Sequence, residues 1–227
     1  MTRELFPSSP NKGEQARRGL LLSALEKFGQ RGYENASVRE IAEAAGQNVG
    51  AIAYYFGNKE SLYAEVLKGI GAYLRSVLGE TADELRERLA GGSLDPDSAR
   101  SALKHIFRTM LGEQIEGDFD KIRSVMMREQ SSPSESFDLL YRDTIRPLHD
   151  LLTRVFAVAT GEDPEGPLAI VRTHALFGQV IVFTMARETI RRRLGVRKLG
   201  PEHAAMIGGV IDEHVDLICR GLTPKKP

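Results

Sequence analysis

The sequence predicts an all-α protein with an N-terminal three-helix domain, residues 12–73, and a C-terminal helical domain, residues 74–221. Ala, Leu, Glu and Arg are abundant, while alternating β-branched residues are scarce, which favours helix throughout. Apolar residues recur at helical spacing in most of the chain, and Gly, Pro and capping residues separate these stretches. We expect about nine helices in total. At 227 residues the chain can bury a substantial core and hold one or two domains.

Charge and cysteine content say more about the cellular compartment of the protein than about its function. Lys and Arg number 31, as do Asp and Glu, so net charge does not indicate a nucleic-acid partner, although a local basic face remains possible. Cys219 is the single cysteine, which excludes an intrachain disulfide and fits a reducing cytoplasm. No N-terminal signal peptide and no run of roughly 18 uncharged apolar residues is present. We therefore expect a cytoplasmic protein with no membrane partner.

The first helix is predicted over residues 12–31, because apolar residues recur every four positions, at Ala16, Leu20, Ala24 and Phe28. Gly32 lies where a left-handed residue would end this helix. The preceding residues 1–11 contain two prolines and are predicted to form a disordered arm.

Two short helices joined by a tight turn follow within residues 36–59. Ser37 and Glu40 have the spacing of a capping box and predict a helix that Gly46 ends. Asn48 then suits the N-cap of a second short helix over residues 49–55. Gly57 ends that helix, and a long helix follows over residues 59–89, capped by Asn58.

Five more helices are predicted after a loop at residues 91–97, over residues 98–112, 119–129, 136–159, 167–194 and 201–221. Pro147 lies inside the third of these and should kink or divide it. Pro167 and Pro201 both suit the first turn of a helix. The last residues, 224–227, are predicted to form a loose tail.

The two short helices have the form of a DNA-reading helix-turn-helix, in which the second helix presents its N-terminal residues to base edges. Ile52 and Phe56 are expected in the small core. Candidate base contacts are Gln47, Asn48, Val49, Gly50, Ala51 and Ala53, because Gln and Asn can pair with adenine while Val and Ala can touch a thymine methyl. Arg39 could reach a phosphate or a guanine, and phosphate contacts are expected from Tyr54, Tyr55 and Lys59. A helical hairpin with ordinary caps would show several of the same features.

The stretch VREIAEAAGQNVGAIAYYFGNKESLYAEVL, preceded by FGQRGYENAS, resembles the N-terminal signature of the TetR family of bacterial transcriptional regulators. The resemblance implies an all-helical homodimer that binds a palindromic operator through paired N-terminal domains. It also implies base contacts from Arg39, Val49, Gly50 and Ala53, and a small-molecule pocket in the C-terminal domain. Many members carry an aromatic residue where this chain has Ala53 and an aliphatic one where it has Gln47, so the operator sequence does not transfer.

The helices over residues 167–194 and 201–221 are apolar on more than one face, which indicates burial or pairing. A homodimer interface made by these two helices is the preferred interpretation, and a monomer core is the alternative. The stretch FGQVIVFTMARETIRRRLG further resembles the CecR-like branch of the family, whose members control drug export and drug sensitivity genes.

Candidate ligand contacts are bulky or polar residues in apolar helices, namely Phe107, Met110, Met126, Met127, Phe156, His174, Phe177 and Gln179, although most residues of this kind belong to a core. The sequence contains no phosphate-binding loop, no GxSxG and no HExxH, and the histidines lack metal-ligand spacing. We therefore expect no catalytic activity, cofactor or metal.

The sequence hypothesis is a homodimeric repressor of double-stranded operator DNA, released by an unknown small apolar or amphipathic molecule. Motion of the long helix that begins at Lys59 would change the spacing of the two recognition helices. The alternative is a helical small-molecule binder or enzyme that does not bind DNA.

Overall fold

The computed structural model describes residues 4–116 and 119–222, and within these ranges helices are the only regular secondary structure. The predicted fold class is confirmed. The described residues form two compact units, the first from residues 4–76 and 119–145 and the second from residues 77–116 and 146–222. The functional division at residues 12–73 and 74–221 stays a prediction, and the predicted tail at 224–227 lies outside the described residues.

The first four helices begin and end close to the predicted positions, as α1 (Lys12–Asn35), α2 (Val38–Ala44), α3 (Val49–Phe56) and α4 (Lys59–Ala90). Gly32 has φ +78° and ψ 168° and marks a kink near the end of α1. The predicted capping box is only half formed. Ser37 Oγ accepts from the backbone N–H of Arg39 at 3.2 Å, but Glu40 accepts from Arg31 Nη1 at 2.6 Å instead of from the backbone.

Within residues 4–11 the N-terminal arm packs against the first unit, so the prediction of disorder is wrong for these residues, and its part at residues 1–3 lies outside the described residues. Phe6 is 6% exposed, and its carbonyl accepts from Arg18 Nε at 2.6 Å. A Cβ on Gly69, within α4, would lie 2.1 Å from Phe6 Cε1. The aromatic ring therefore occupies a notch that exists because residue 69 has no side chain. Leu5 is buried as well.

Helix α6 (Phe119–Ser131) packs against α1 and completes the core of the first unit, together with the short helix α7 (Phe137–Leu140). The helix predicted over 136–159 is divided, as expected from Pro147, into α7, a π-helical turn at Tyr141–Ile145 and α8 (Arg146–Thr160). Pro147 offers no N–H to the carbonyl of Asp143, which accepts from Arg75 Nη1 at 3.2 Å instead.

The second unit is built from α5 (Pro96–Glu116), α8, α9 (Pro167–Met185), α10 (Arg187–Leu194) and α11 (Pro201–Leu222). Helix α5 packs against α8, α9 and α11. The prediction of a single helix over residues 167–194 is wrong, because the helix is interrupted at Ala186. Ala186 has φ −100° and ψ 26°, outside the α-helical range. Its carbonyl accepts from the backbone N–H of Thr189, three residues later, at 3.0 Å.

Helix α9 is long and apolar enough to cross a membrane, judged by length and composition alone. It nevertheless includes Arg172, which pairs with Glu162. One side of α9 is buried within the unit, through Ala169, Thr173, Leu176, Val180 and Thr184. Its other side exposes large apolar residues, among them Leu168, Ile170 and Val171. A helix of this composition is expected where both sides are covered.

Candidate DNA interface

The turn between α2 and α3 fixes the helix-turn-helix locally. Gly46 has φ +66°, a left-handed conformation that glycine adopts without a Cβ penalty. The backbone N–H of Gln47 then reaches back to the carbonyl of Ala42 at 2.9 Å. Asn48 begins α3, since its side-chain oxygen accepts from the N–H of Ala51 at 3.0 Å. The start of the second helix is therefore held by short-range hydrogen bonds that the sequence alone could indicate.

Helix α3 divides into a buried and an exposed side in the predicted phase. Ile52 and Phe56 lie in the core of the first unit. The exposed side carries Val49, Gly50 and Ala53, while Gln47 and Ala51 are half-buried beside it. The side chains of this surface are small and uncharged, which suits close approach to apolar and hydrogen-bonding groups.

Arg39 lies on α2 with its side chain 78% exposed, and Nε donates to Glu43 Oε1 at 3.0 Å. An exposed pair spaced four residues apart on a helix contributes about 0.3–0.5 kcal/mol. Such a weak pair does not prevent the guanidinium from leaving Glu43 for a phosphate or a base. Arg39 is therefore available for the predicted contact.

Two tyrosines follow at the C-terminal part of α3. Tyr54 is 82% exposed, whereas Tyr55 is half-buried, and their rings meet edge to face with centroids 4.9 Å apart. Edge-to-face contact fixes the orientation of the exposed ring while leaving its hydroxyl in solvent. Both side chains remain predicted phosphate contacts.

Lys59 begins α4 immediately after α3. Its Nζ donates to the carbonyl of Glu34 at 3.0 Å and lies 4.7 Å from the centroid of the Tyr33 ring. The following turn is capped by Asn58, whose Oδ1 accepts from the N–H of Ser61 at 2.8 Å. An ammonium has three donors, so the contact with Glu34 leaves others free. The partners Tyr33 and Glu34 were not predicted from the sequence.

The candidate ligand residues are distributed over both units. Met126 and Met127 lie on α6 in the first unit, and the other six lie in the second. Phe107 and Phe156 are fully buried core residues. His174 and Phe177 flank the ring of His149, at centroid distances of 5.4 Å and 4.8 Å, and Gln179 Oε1 lies 2.8 Å from His214 Nδ1. Their role in ligand binding stays a prediction.

The second unit also contains an open cleft of about 650 Å³ that the sequence did not indicate. The end of α4, the outer side of α8 and the loop before α9 line it, with Arg86, Leu89, Asp150, Arg154 and Glu165 among the lining residues. None of the eight candidate ligand residues takes part. Among residues 4–116 and 119–222, no three His, Cys, Asp or Glu side chains are grouped to hold a metal ion.

Comparison with known proteins identifies the architecture. A profile for the bacterial regulatory proteins of the tetR family matches residues 20–66, and one for the C-terminal domain of the HTH-type transcriptional dual regulator CecR matches residues 99–222. The CecR dual regulator of Shigella flexneri is 36% identical over 219 residues, which cover 96% of this chain and 98% of that protein. The chain belongs to the TetR family. It is accordingly a DNA-binding transcriptional regulator and not an enzyme.

Other proteins are similar to this chain over shorter stretches or in fold alone. The transcriptional repressor AcnR of Corynebacterium glutamicum is 34% identical over 87 residues, 38% of this chain and 45% of AcnR. The crystal structure of Mycobacterium smegmatis AmtR has a TM-score of 0.59 at 18% identity and covers 96% of this chain and 100% of AmtR. The crystal structure of the haemolysin II regulator HlyIIR has a TM-score of 0.56 at 23% identity, and the match covers 94% of this chain and 100% of the HlyIIR chain. These two structures support the fold.

Proposed function

We propose that this TetR-family regulator is a repressor that binds a palindromic operator as a homodimer and leaves it when a small apolar or amphipathic molecule binds. The observation that carries the proposal is the exposed side of α3, with Arg39 and Lys59 at its flanks and Tyr54 in solvent. Such a regulator would act in the cytoplasm on double-stranded DNA.

Within the interface we assign base reading to the small exposed residues of α3 and to Arg39. Val49 and Ala53 suit thymine methyl groups, and the bare backbone at Gly50 permits close approach. Phosphates are assigned to Tyr54, Tyr55 and Lys59, which lie at the C-terminal end of α3 and the start of α4. Gln47, Asn48 and Ala51 complete the proposed DNA-facing set.

The proposed homodimer uses the uncovered sides of α9 and α11. Exposed large apolar residues are concentrated there: Val171 on α9 is 64% exposed and Leu217 on α11 is 71% exposed, with Ile170, Val182, Met185, Met206 and Val210 also exposed. Exposed apolar side chains concentrated on two helices are typical of an oligomer interface. Two helices from each of two chains would cover one another.

The dimer proposal predicts that a charge on this surface separates the protomers. Val171→Asp and Leu217→Asp should each shift the sedimentation coefficient to that of a monomer and lower operator affinity. Tyr141→Asp is the matched control, because Tyr141 is an exposed apolar residue in the first unit. A Leu217→Asp protein that stays dimeric at micromolar concentration would count against this interface.

For release, we propose a shift of α4, which runs without interruption from Lys59 to Ala90 and contributes residues to both units. Adjacent major grooves lie about 34–36 Å apart along the duplex, so a small change in the spacing of two recognition helices weakens both half-sites. Candidate effector sites are the predicted set around Phe107 and Phe156 and the cleft lined by Arg86 and Arg154.

The decisive experiment is fluorescence anisotropy with DNA taken from upstream of the gene for this protein. Sequence-selective binding that weakens steeply with salt is expected, and binding equal to that of scrambled DNA would favour the alternative of a helical binder that does not recognise DNA. Arg39→Ala should reduce selectivity, whereas Arg146→Ala, an exposed arginine on α8, serves as control. A reporter in a deletion strain then separates repression from activation, a relevant distinction because the Shigella relative is named a dual regulator.

A further inference from the structure

A buried polar contact links α6 to the helix that begins at Lys59. Glu129 on α6 is 2% exposed, and Tyr63 on α4 is 3% exposed. The Tyr63 hydroxyl donates to Glu129 Oε1, and the second carboxylate oxygen accepts from the backbone N–H and the hydroxyl of Ser134, both at 3.1 Å. A buried carboxylate is costly unless its oxygens are hydrogen-bonded, and here three donors face it.

The Tyr63 hydroxyl is a stable donor in this position. Burial raises the pKa of Tyr63, and the hydrogen bond to Glu129 raises it further. The phenol is therefore protonated near neutral pH and can donate to Glu129. This contact joins residues 66 positions apart in sequence.

From Tyr63 the contacts continue through aromatic rings to Lys59. The ring of Tyr63 packs on Tyr33, at a centroid distance of 5.0 Å, and on Phe28 at 4.7 Å in edge-to-face geometry. Another partner of the Tyr33 ring is the Lys59 ammonium, 4.7 Å from the ring centroid. A cation at this distance from an aromatic ring is attracted by about 0.5–1 kcal/mol at an exposed site. The orientation of Tyr33 thus helps to place the ammonium.

A second contact from α6 acts on the same segment of α1. Arg128 donates from Nε to the carbonyl of Gly29 at 3.1 Å and from Nη2 to that of Gln30 at 2.9 Å. A Cβ on Gly32 would lie 3.3 Å from Arg128 Nη1, so the guanidinium sits against the kink. The kink leads directly to Tyr33 and Glu34, which hold Lys59. Two neighbouring residues of α6 therefore fix the surroundings of one ammonium.

We propose that Glu129 is a positioning residue for DNA binding, which acts through Tyr63 and Tyr33 on the phosphate contact of Lys59. The inference rests on the proposed function, because it takes Lys59 as a phosphate contact. Without the hydrogen bond the Tyr63 ring keeps its packing but loses its polar anchor, so the position of Tyr33 against it is less well fixed and the long lysine side chain samples more conformations. The consequence is a smaller electrostatic contribution to DNA affinity.

The test is the salt dependence of operator binding. A general loss of stability does not change the slope of log K against log salt. Each phosphate contact contributes about 0.9 to the slope of log K against log salt, so the loss of one contact per protomer reduces a dimer's slope by about 1.8. Lys59→Met should show this change in slope. Between 50 and 200 mM salt, its operator affinity should then fall by a factor roughly tenfold smaller than the affinity of the wild type. Tyr63→Phe, which removes one oxygen and keeps the ring, should show at least half of it.

Matched variants separate positioning from packing. Tyr73→Phe removes a hydroxyl from another buried tyrosine of α4 and should leave the slope unchanged. Tyr33→Phe keeps the ring and should also bind like the wild type, whereas Tyr33→Leu should follow Lys59→Met. In a Lys59→Met background, Tyr63→Phe should have no further effect on the slope.

The outcomes distinguish the two proposals. Wild-type protein without selective, salt-sensitive binding would refute the proposed function. If the wild type binds and Lys59→Met flattens the slope while Tyr63→Phe leaves it at the wild-type value, the role of Glu129 is refuted and the proposed function stands. An unchanged slope for Lys59→Met would refute the assignment of Lys59 to a phosphate and, with it, the positioning role of Glu129.

Discussion

Replacing Gly69 by alanine measures how firmly the N-terminal arm is docked on α4. The added Cβ would lie 2.1 Å from Phe6 Cε1 and 2.9 Å from Cδ1, distances that force the ring out of its notch. Displacing a buried Phe side chain costs about 1.5–3 kcal/mol. Alanine in a helix interior returns about 1 kcal/mol relative to glycine. We therefore expect Gly69→Ala to lower the free energy of unfolding by about 0.5–2 kcal/mol.

The sign should reverse once the ring is absent. In a Phe6→Ala background nothing blocks the new methyl group, so Gly69→Ala should stabilise by up to about 1 kcal/mol. The coupling between the two sites is then about 1.5–3 kcal/mol, well above the roughly 0.3–0.5 kcal/mol within which independent sites add. Gly79→Ala on the same helix is the control, because no atom lies within 4 Å of its added Cβ.

Urea unfolding followed by circular dichroism gives the four free energies of the cycle. Protein concentration must be equal in all samples, since association contributes to apparent stability. Equal m values indicate that the comparison concerns stability and not the extent of unfolding. A coupling below about 0.5 kcal/mol would refute the docking of Phe6 against Gly69.

Three further substitutions or treatments test single residues. Burial raises the pKa of the Cys219 thiol to about 11, so Ellman's reagent at pH 8 should label it only after urea unfolding. The hydrogen bond from Lys104 lowers the pKa of Asp216, so its contribution is present at pH 7 and is lost as the pH falls through that lowered value. Asp216→Asn should cost about 1 kcal/mol at pH 7 in urea unfolding, and the two proteins should converge once the pH falls below the lowered pKa of Asp216. Asn48→Ala should cost about 1 kcal/mol, whereas Asn48→Ser, which keeps a capping oxygen, should melt near the wild type.

Local features of the sequence predicted the first unit well. Asn48 accepts from the N–H of Ala51, and the N–H of Gly57 bonds to the carbonyl of Ala53. Each partner lies within four residues, so the ends of α3 could be predicted from spacing alone. The helical period likewise predicted which side of α3 is buried. These features depend on interactions within one or two turns, which a single sequence contains in full.

Contacts between distant segments could not be predicted in this way. The burial of Phe6 depends on the absence of a side chain at Gly69, and the composition of the arm alone indicated disorder. Glu40 had a local backbone partner available, yet it pairs with Arg31 of the preceding helix. In the candidate site, Lys59 was expected from its position, whereas its partners Tyr33 and Glu34 became visible only in three dimensions.

The cap at the start of α3 limits how the protein can read DNA. A bidentate pair with adenine requires both the carbonyl oxygen and the amino group of an asparagine. The oxygen of Asn48 already accepts from the N–H of Ala51. A bidentate pair with adenine would therefore have to use the second lone pair of this oxygen while the side chain stays in its capping position, since leaving the cap would cost about 1 kcal/mol. With Asn48 engaged in the cap, we expect base preference to come mainly from Arg39 and from the methyl surfaces of Val49 and Ala53, which favour thymine.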